Sequence, residues 1–119
     1  MEATILSEPA AWSLESLRER LTPALERLAV ERAIVFGSYA RGTADGFSDL
    51  DLAVVLPTSL PRFERPRLLD DVYRAIPLGL DLLVLTPEEY EIGARSRFGV
   101  FDSIVGEGVT IYERRRDAT

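Results

Sequence analysis

An α/β fold, with a small β-sheet packed by helices, is predicted by three observations. Four short apolar runs, Ala33–Phe36, Leu50–Leu56, Leu80–Leu85 and Val109–Tyr112, have the length and the Val/Leu/Ile content of strands. Helical signals lie before and between them: a leucine stripe near the N-terminus and a capping box at Thr86-Pro87-Glu88-Glu89. Strands and helices therefore alternate, as in a layered α/β domain. The 119 residues allow one domain with a modest core. It is expected to span 1–119, with its catalytic core at about 13–113 and a flexible tail at 114–119.

Taken in order, Leu14, Leu17, Leu21, Leu25 and Leu28 recur at helical spacing and predict a helix from about Ser13 to Ala29. Thr22-Pro23 is expected to interrupt it, Thr22 capping a restarted helix with Pro23 in its first turn. The first strand runs into Gly37-Ser38, after which Tyr39-Ala40-Arg41 forms a single helical turn. Leu50–Leu56 reads as a buried strand. Pro57 to Pro66 carries three prolines and reads as a loop, a candidate mobile flap or partner contact. Arg67 to Ile76 predicts a short helix with Leu68, Leu69, Val72 and Ile76 inward. After the strand at Leu80–Leu85, Thr86 opens another helix, which Gly93 and Gly99 weaken through Arg95 to Phe98. A final turn near Asp102 to Val105 leads into the last strand.

Two carboxylates open the second strand in Ser48-Asp49-Leu50-Asp51. Strand side chains alternate, so Asp49 and Asp51 are expected on one face with their roots about 6.6 Å apart. That spacing suits oxygen ligands bracketing one or two hard cations. Asp81 lies in another apolar run and completes the set if the two strands are neighbours. It is then placed to take a proton from an attacking hydroxyl. Upstream, a strand ending in Gly37-Ser38 at a helix start presents free backbone N–H groups to an anion. Arg41 shares the face of Ser38 and either clamps a phosphate or ties down the loop through Asp45 or Asp49. Each feature alone is common in turns and strand starts; together they are the parts of metal-dependent nucleotidyl transfer.

Composition removes competing chemistries. The chain has no Cys and no His, so thiol nucleophiles, thiolate zinc sites and a histidine base are excluded. All 14 basic residues are Arg, which excludes a covalent lysyl-nucleotide intermediate. Phosphate contacts fall to Arg, backbone and metal. The net charge of −6 argues against a stand-alone nucleic-acid enzyme, and no stable nucleic-acid binding is expected. Arg114-Arg115-Arg116 reads as a solvated tail or a contact for an acidic partner. No apolar segment approaches the roughly 20 residues of a membrane span, and no signal peptide begins the chain, so a cytoplasmic location is expected.

Gly37-Ser38, ten residues, then Asp49-x-Asp51 resembles the signature of the polymerase-beta-like nucleotidyltransferase superfamily. The fuller form Gly37-Ser38-Tyr39-Ala40-Arg41-Gly42 with Ser48-Asp49-Leu50-Asp51 is similar to its minimal nucleotidyltransferase (MNT) branch. The ending Glu107-Gly108-Val109-Thr110-Ile111-Tyr112-Glu113 resembles the finish of many small MNT proteins. The resemblance implies a mixed sheet. It implies Asp49, Asp51 and Asp81 as catalytic metal ligands, for Mg²⁺ or else Mn²⁺. It implies that Gly37 and Ser38 contact the triphosphate; Arg41 and Ser48 are further nucleotide-binding candidates. It also implies a partner: a HEPN-type RNase toxin, with AMP moved from ATP to a tyrosine hydroxyl of the toxin. Two other readings stay open, an acceptor such as an aminoglycoside hydroxyl served by a homo-oligomer, and an antitoxin that neutralises by binding alone. The base preference and the roles of Tyr39 and Tyr112 are open as well.

Overall fold

Both faces of a four-stranded sheet are covered by helices, and the sheet's central strands are accordingly apolar on both sides. The computed structural model describes residues 11–115. Its elements are α1 (Leu14–Arg27), β1 (Arg32–Phe36), α2 (Ser38–Arg41), β2 (Leu50–Val55), a 3₁₀ helix (Arg62–Leu69), α3 (Asp70–Ala75), β3 (Leu80–Leu85), α4 (Pro87–Ser96), α5 (Val100–Glu107) and β4 (Val109–Glu113).

The strand order is β3-β2-β1-β4. β1 pairs antiparallel with β2 and β4, whereas β2 and β3 run parallel, so the sheet is mixed. A parallel pair needs a long crossover, and the 3₁₀ helix with α3 supplies it. Alternation along β2 sends Leu50, Leu52 and Val54 into the main core with α1 and α3. Ala53 joins Ile34 and Ile104 in a second cluster, flanked by Tyr90 of α4 and Phe101 of α5.

Two arginines cover the sheet's two edge strands. Arg18 of α1 donates to the Ile111 and Thr110 carbonyls of β4 at 3.1 and 3.4 Å. Arg65 donates to the Val84 carbonyl of β3 at 3.1 Å, and also to the Leu60 carbonyl and the Glu89 carboxylate. Exposed strand edges invite intermolecular pairing, and a guanidinium occupying the edge carbonyls blocks it.

Four local expectations are corrected. Helix α1 is continuous through Pro23, with Ser13 as its cap; the Thr22 hydroxyl donates back to the Arg18 carbonyl at 2.6 Å instead of opening a new helix. The proline-rich segment is not wholly a loop: a 3₁₀ helix begins at Arg62, and Arg65 is buried and bonded to Leu60, Val84 and Glu89. The expected helix over Arg67 to Ile76 becomes the end of that 3₁₀ helix plus α3, with Leu69, Val72 and Ile76 buried as predicted. The helix does stop short of Phe98, as expected: α4 ends at Ser96, and Gly93 within it makes room for the Phe101 ring, which any Cβ there would strike. Beyond it, α5 is an eight-residue helix instead of one turn. The capping box at Thr86 and Glu89 forms as its sequence requires.

At the C-terminus the Arg114 N–H donates to the Glu31 carbonyl, so the chain stays bonded to the sheet through Arg114. Arg116 and the rest of the expected tail lie outside the described residues. Among the described residues no helix is long and apolar enough to cross a membrane.

Candidate active site

Phe36, Asp51 and Asp81 form one row across the sheet, Phe36 opposite Asp51 on β1–β2 and Asp51 opposite Asp81 on β2–β3. The row lies where β1 ends and β2 and β3 begin. Because β2 and β3 are parallel and in register, both carboxylates leave the sheet on one face. That face is the one packed by α4 and α5.

The pair is electrostatically strained. Burial raises the Asp51 pKa, and so do the neighbouring carboxylates of Asp81 and Asp49; Arg41 pulls it back down. Two carboxylates brought together this way favour a proton or a cation between them.

Gly37 locks the turn after β1 to this pair. Its φ of 73° and ψ of −149° lie in a region open essentially to glycine alone. A Cβ there would also run into the Asp51 carboxylate. The turn and the carboxylate are thus in direct contact, which only a residue without a side chain allows. Helix α2 starts at Gly37 with no side-chain cap, leaving its first N–H groups free of side-chain partners.

A cavity of about 500 Å³ opens beside these groups, lined by Gly37, Arg41, Asp51, Asp81, Val100 and Ser103 among others. A larger groove of about 890 Å³ lies at the opposite end of the strands, around Arg32, Tyr90 and Glu113. There Arg32 is already paired with Glu113 at 2.7 Å and bonded to the Tyr90 hydroxyl. The smaller cavity holds the coupled carboxylates and is the better candidate for chemistry.

The remaining predicted residues are placed as follows. Ser38 is the first residue of α2. Asp49 lies one residue before β2 and is exposed; its carboxylate sits where a side chain on Gly79 would be. Ser48 is committed to its own loop, accepting from the Asp45 N–H at 2.9 Å and donating to the Asp45 carboxylate at 3.2 Å. Arg41 bonds neither Asp45 nor Asp49: its partner is Glu107, at 3.1 Å. Tyr39 is buried in the main core with its hydroxyl unpaired among the described residues, and Tyr112 packs partly against that core.

Val100 and Ser103 escaped sequence reasoning, and Glu107 entered it only as the start of the closing Glu107–Glu113 segment. All three come from α5, where only a turn near Asp102 to Val105 was expected.

Among the described residues no three carboxylates form a ready-made metal cage. The donor chemistry nevertheless fits a hard divalent cation. Asp51 and Asp81 are oxygen donors held together against their own repulsion, and Asp49 is close enough to add to it. Asp51 and Asp81 are the residues that could hold the ion, with Asp49 adjacent.

A family model described as a nucleotidyltransferase domain matches residues 14–117. Among solved structures, the chain is similar to one in a toxin–antitoxin complex with AMP-PNP: 23% identity, TM-score 0.59, over 82% of this chain and 74% of that one. It is similar to a chain of a mutant MntA–HpeT toxin–antitoxin, at 18% identity and TM-score 0.56, over 82% and 74%. It is also similar to a chain in the complex of tri-AMPylated Shewanella oneidensis HEPN toxin with MNT antitoxin, at 16% identity and TM-score 0.53, over 85% and 73%. At these identities the likeness is one of fold. Among curated proteins, none matches.

Proposed function

The chain belongs to the nucleotidyltransferase domain family, and we propose that it moves AMP from ATP onto a tyrosine hydroxyl of a HEPN-type RNase toxin, acting as that toxin's antitoxin. The observation that carries the transfer chemistry is the Asp51–Asp81 pair set against the Gly37 turn. The acceptor is supported by the fold shared with chains from a complex holding AMP-PNP and from one holding an AMPylated HEPN toxin.

In this reading the α2 start and Arg41 bind the triphosphate. The acceptor oxygen attacks the α-phosphorus, forming the new O–P bond as the bond to the β-phosphate oxygen breaks and pyrophosphate leaves. Asp81 accepts the hydroxyl proton. Asp51, Asp81 and Asp49 would hold Mg²⁺, or Mn²⁺ in its place, which supplies charge stabilisation at the phosphates when bound. Val100 and Ser103 form part of the cavity wall beside the carboxylates.

Intact-mass measurement of the toxin after incubation with this protein, ATP and Mg²⁺ tests the proposal. Adenylyl adducts mapped to tyrosine support it. An unmodified toxin in a tight complex would replace transfer by neutralisation through binding.

A further inference from the structure

Glu107 ends α5 where a helix least favours an acid, because the unpaired carbonyls there carry negative partial charge. No basic residue in that last turn offsets it. Gly108, which caps the helix, packs tightly there: a Cβ would strike the Ile104 carbonyl and the Ile34 side chain. The helix end therefore lies directly on β1, and the Glu107 carboxylate reaches the Arg41 guanidinium at 3.1 Å.

The pair is too open to serve as a stability device, with the Arg41 side chain 50% exposed and that of Glu107 32%. It does constrain where the guanidinium lies. Glu107 takes one of the five N–H donors of Arg41, through Nη1; among the described residues no other side chain accepts from it. Arg41 also lines the cavity that holds Asp51 and Asp81. An unrestrained guanidinium there is drawn to those carboxylates and becomes an internal cation at the site.

We propose that Glu107 is a positioning residue: it holds Arg41 at the rim of the cavity, off the carboxylate pair, so that its unused N–H edge receives a phosphate of the nucleotide. The proposal rests on the nucleotidyl-transfer reading of this cavity and names what the Glu107-Gly108 ending contributes to it. Gly108 lets the helix end approach β1 closely, and Glu107 sets the arginine.

The test is the affinity for a fluorescent ATP analogue with Mg²⁺, measured beside thermal stability, for Glu107→Gln, Glu107→Asp and the exchange Arg41→Glu/Glu107→Arg. Glu107→Gln is expected to weaken binding about tenfold with little change in Tm. Glu107→Asp should recover most of that loss. The exchange can rebuild the ion pair, yet it should not recover nucleotide affinity, because the cation then sits on α5. Wild-type affinity in Glu107→Gln, or recovered affinity in the exchange, would overturn the proposal. Nucleotide binding by the wild type without transfer to a toxin would contradict the acceptor reading alone, since the affinity comparison decides the role of Glu107 independently of transfer.

Discussion

Asp51 and Asp81 stand directly opposite each other across the parallel β2–β3 pair, on the face that α4 and α5 pack against. The arrangement works against folding: Asp51 is partly withdrawn from water beside a like charge. Such a pair favours a proton or a cation between its carboxylates.

Replacing Asp51 by Asn separates function from stability. Because burial and the neighbouring acids raise the pKa of Asp51, its ionised form destabilises the folded state at neutral pH. Asp51→Asn removes that charge and is expected to raise Tm by about 2–4 °C while abolishing transfer. A lower Tm, read by differential scanning calorimetry, would contradict the strain.

The Gly37 turn should tolerate no side chain. Gly37→Ala meets both a glycine-only backbone conformation and the Asp51 carboxylate. It is expected to cost roughly 3 kcal/mol or more, read from the urea midpoint.

The strands were legible in the sequence because their apolar runs are short and cleanly bounded; all four form within a residue or two of their expected limits. Thr86 and Glu89 were legible for the same local reason, since a capping box is complete within four residues. The meeting of Asp51 with Asp81 was not: it needs β2 and β3 to be parallel neighbours in register, which only tertiary packing decides. Helix α5 was only partly legible: Gly99 read as a breaker and a single turn near Asp102 to Val105 was expected, where an eight-residue helix forms. Arg65 was hidden by type: an arginine between two prolines looks solvent-facing, and its partners lie 19 and 24 residues away. Arg41 was singled out, but its acid came from the far end of the chain, 66 residues on.

The Arg65–Glu89 pair makes a pH prediction. A hydrogen bond from Arg65 lowers the Glu89 pKa below its ordinary 4.5, against the opposing effect of burial. A carboxylate whose folded pKa is depressed contributes its full stability above the unfolded value and loses it as pH falls through the folded one. The stability advantage of wild type over Glu89→Gln should therefore be constant from neutral pH down to about 4.5 and shrink below it. An advantage that persists undiminished to pH 2, or grows on acidification, in paired urea titrations would contradict the pairing.

Thr86→Ala should destabilise by about 1 kcal/mol, because it removes the hydroxyl that accepts from the Glu89 N–H at 3.1 Å. The loss should appear in thermal unfolding with nucleotide affinity unchanged.

The central claim is that the Asp51–Asp81 pair performs adenylyl transfer onto a HEPN-type toxin. It is tested most directly with α-phosphate-labelled ATP, Mg²⁺ and the purified toxin, comparing wild type with Asp51→Asn and Asp81→Asn. Label on the toxin with wild type, and none with either folded variant, is the predicted result. Equal labelling by wild type and the two variants would contradict the claim.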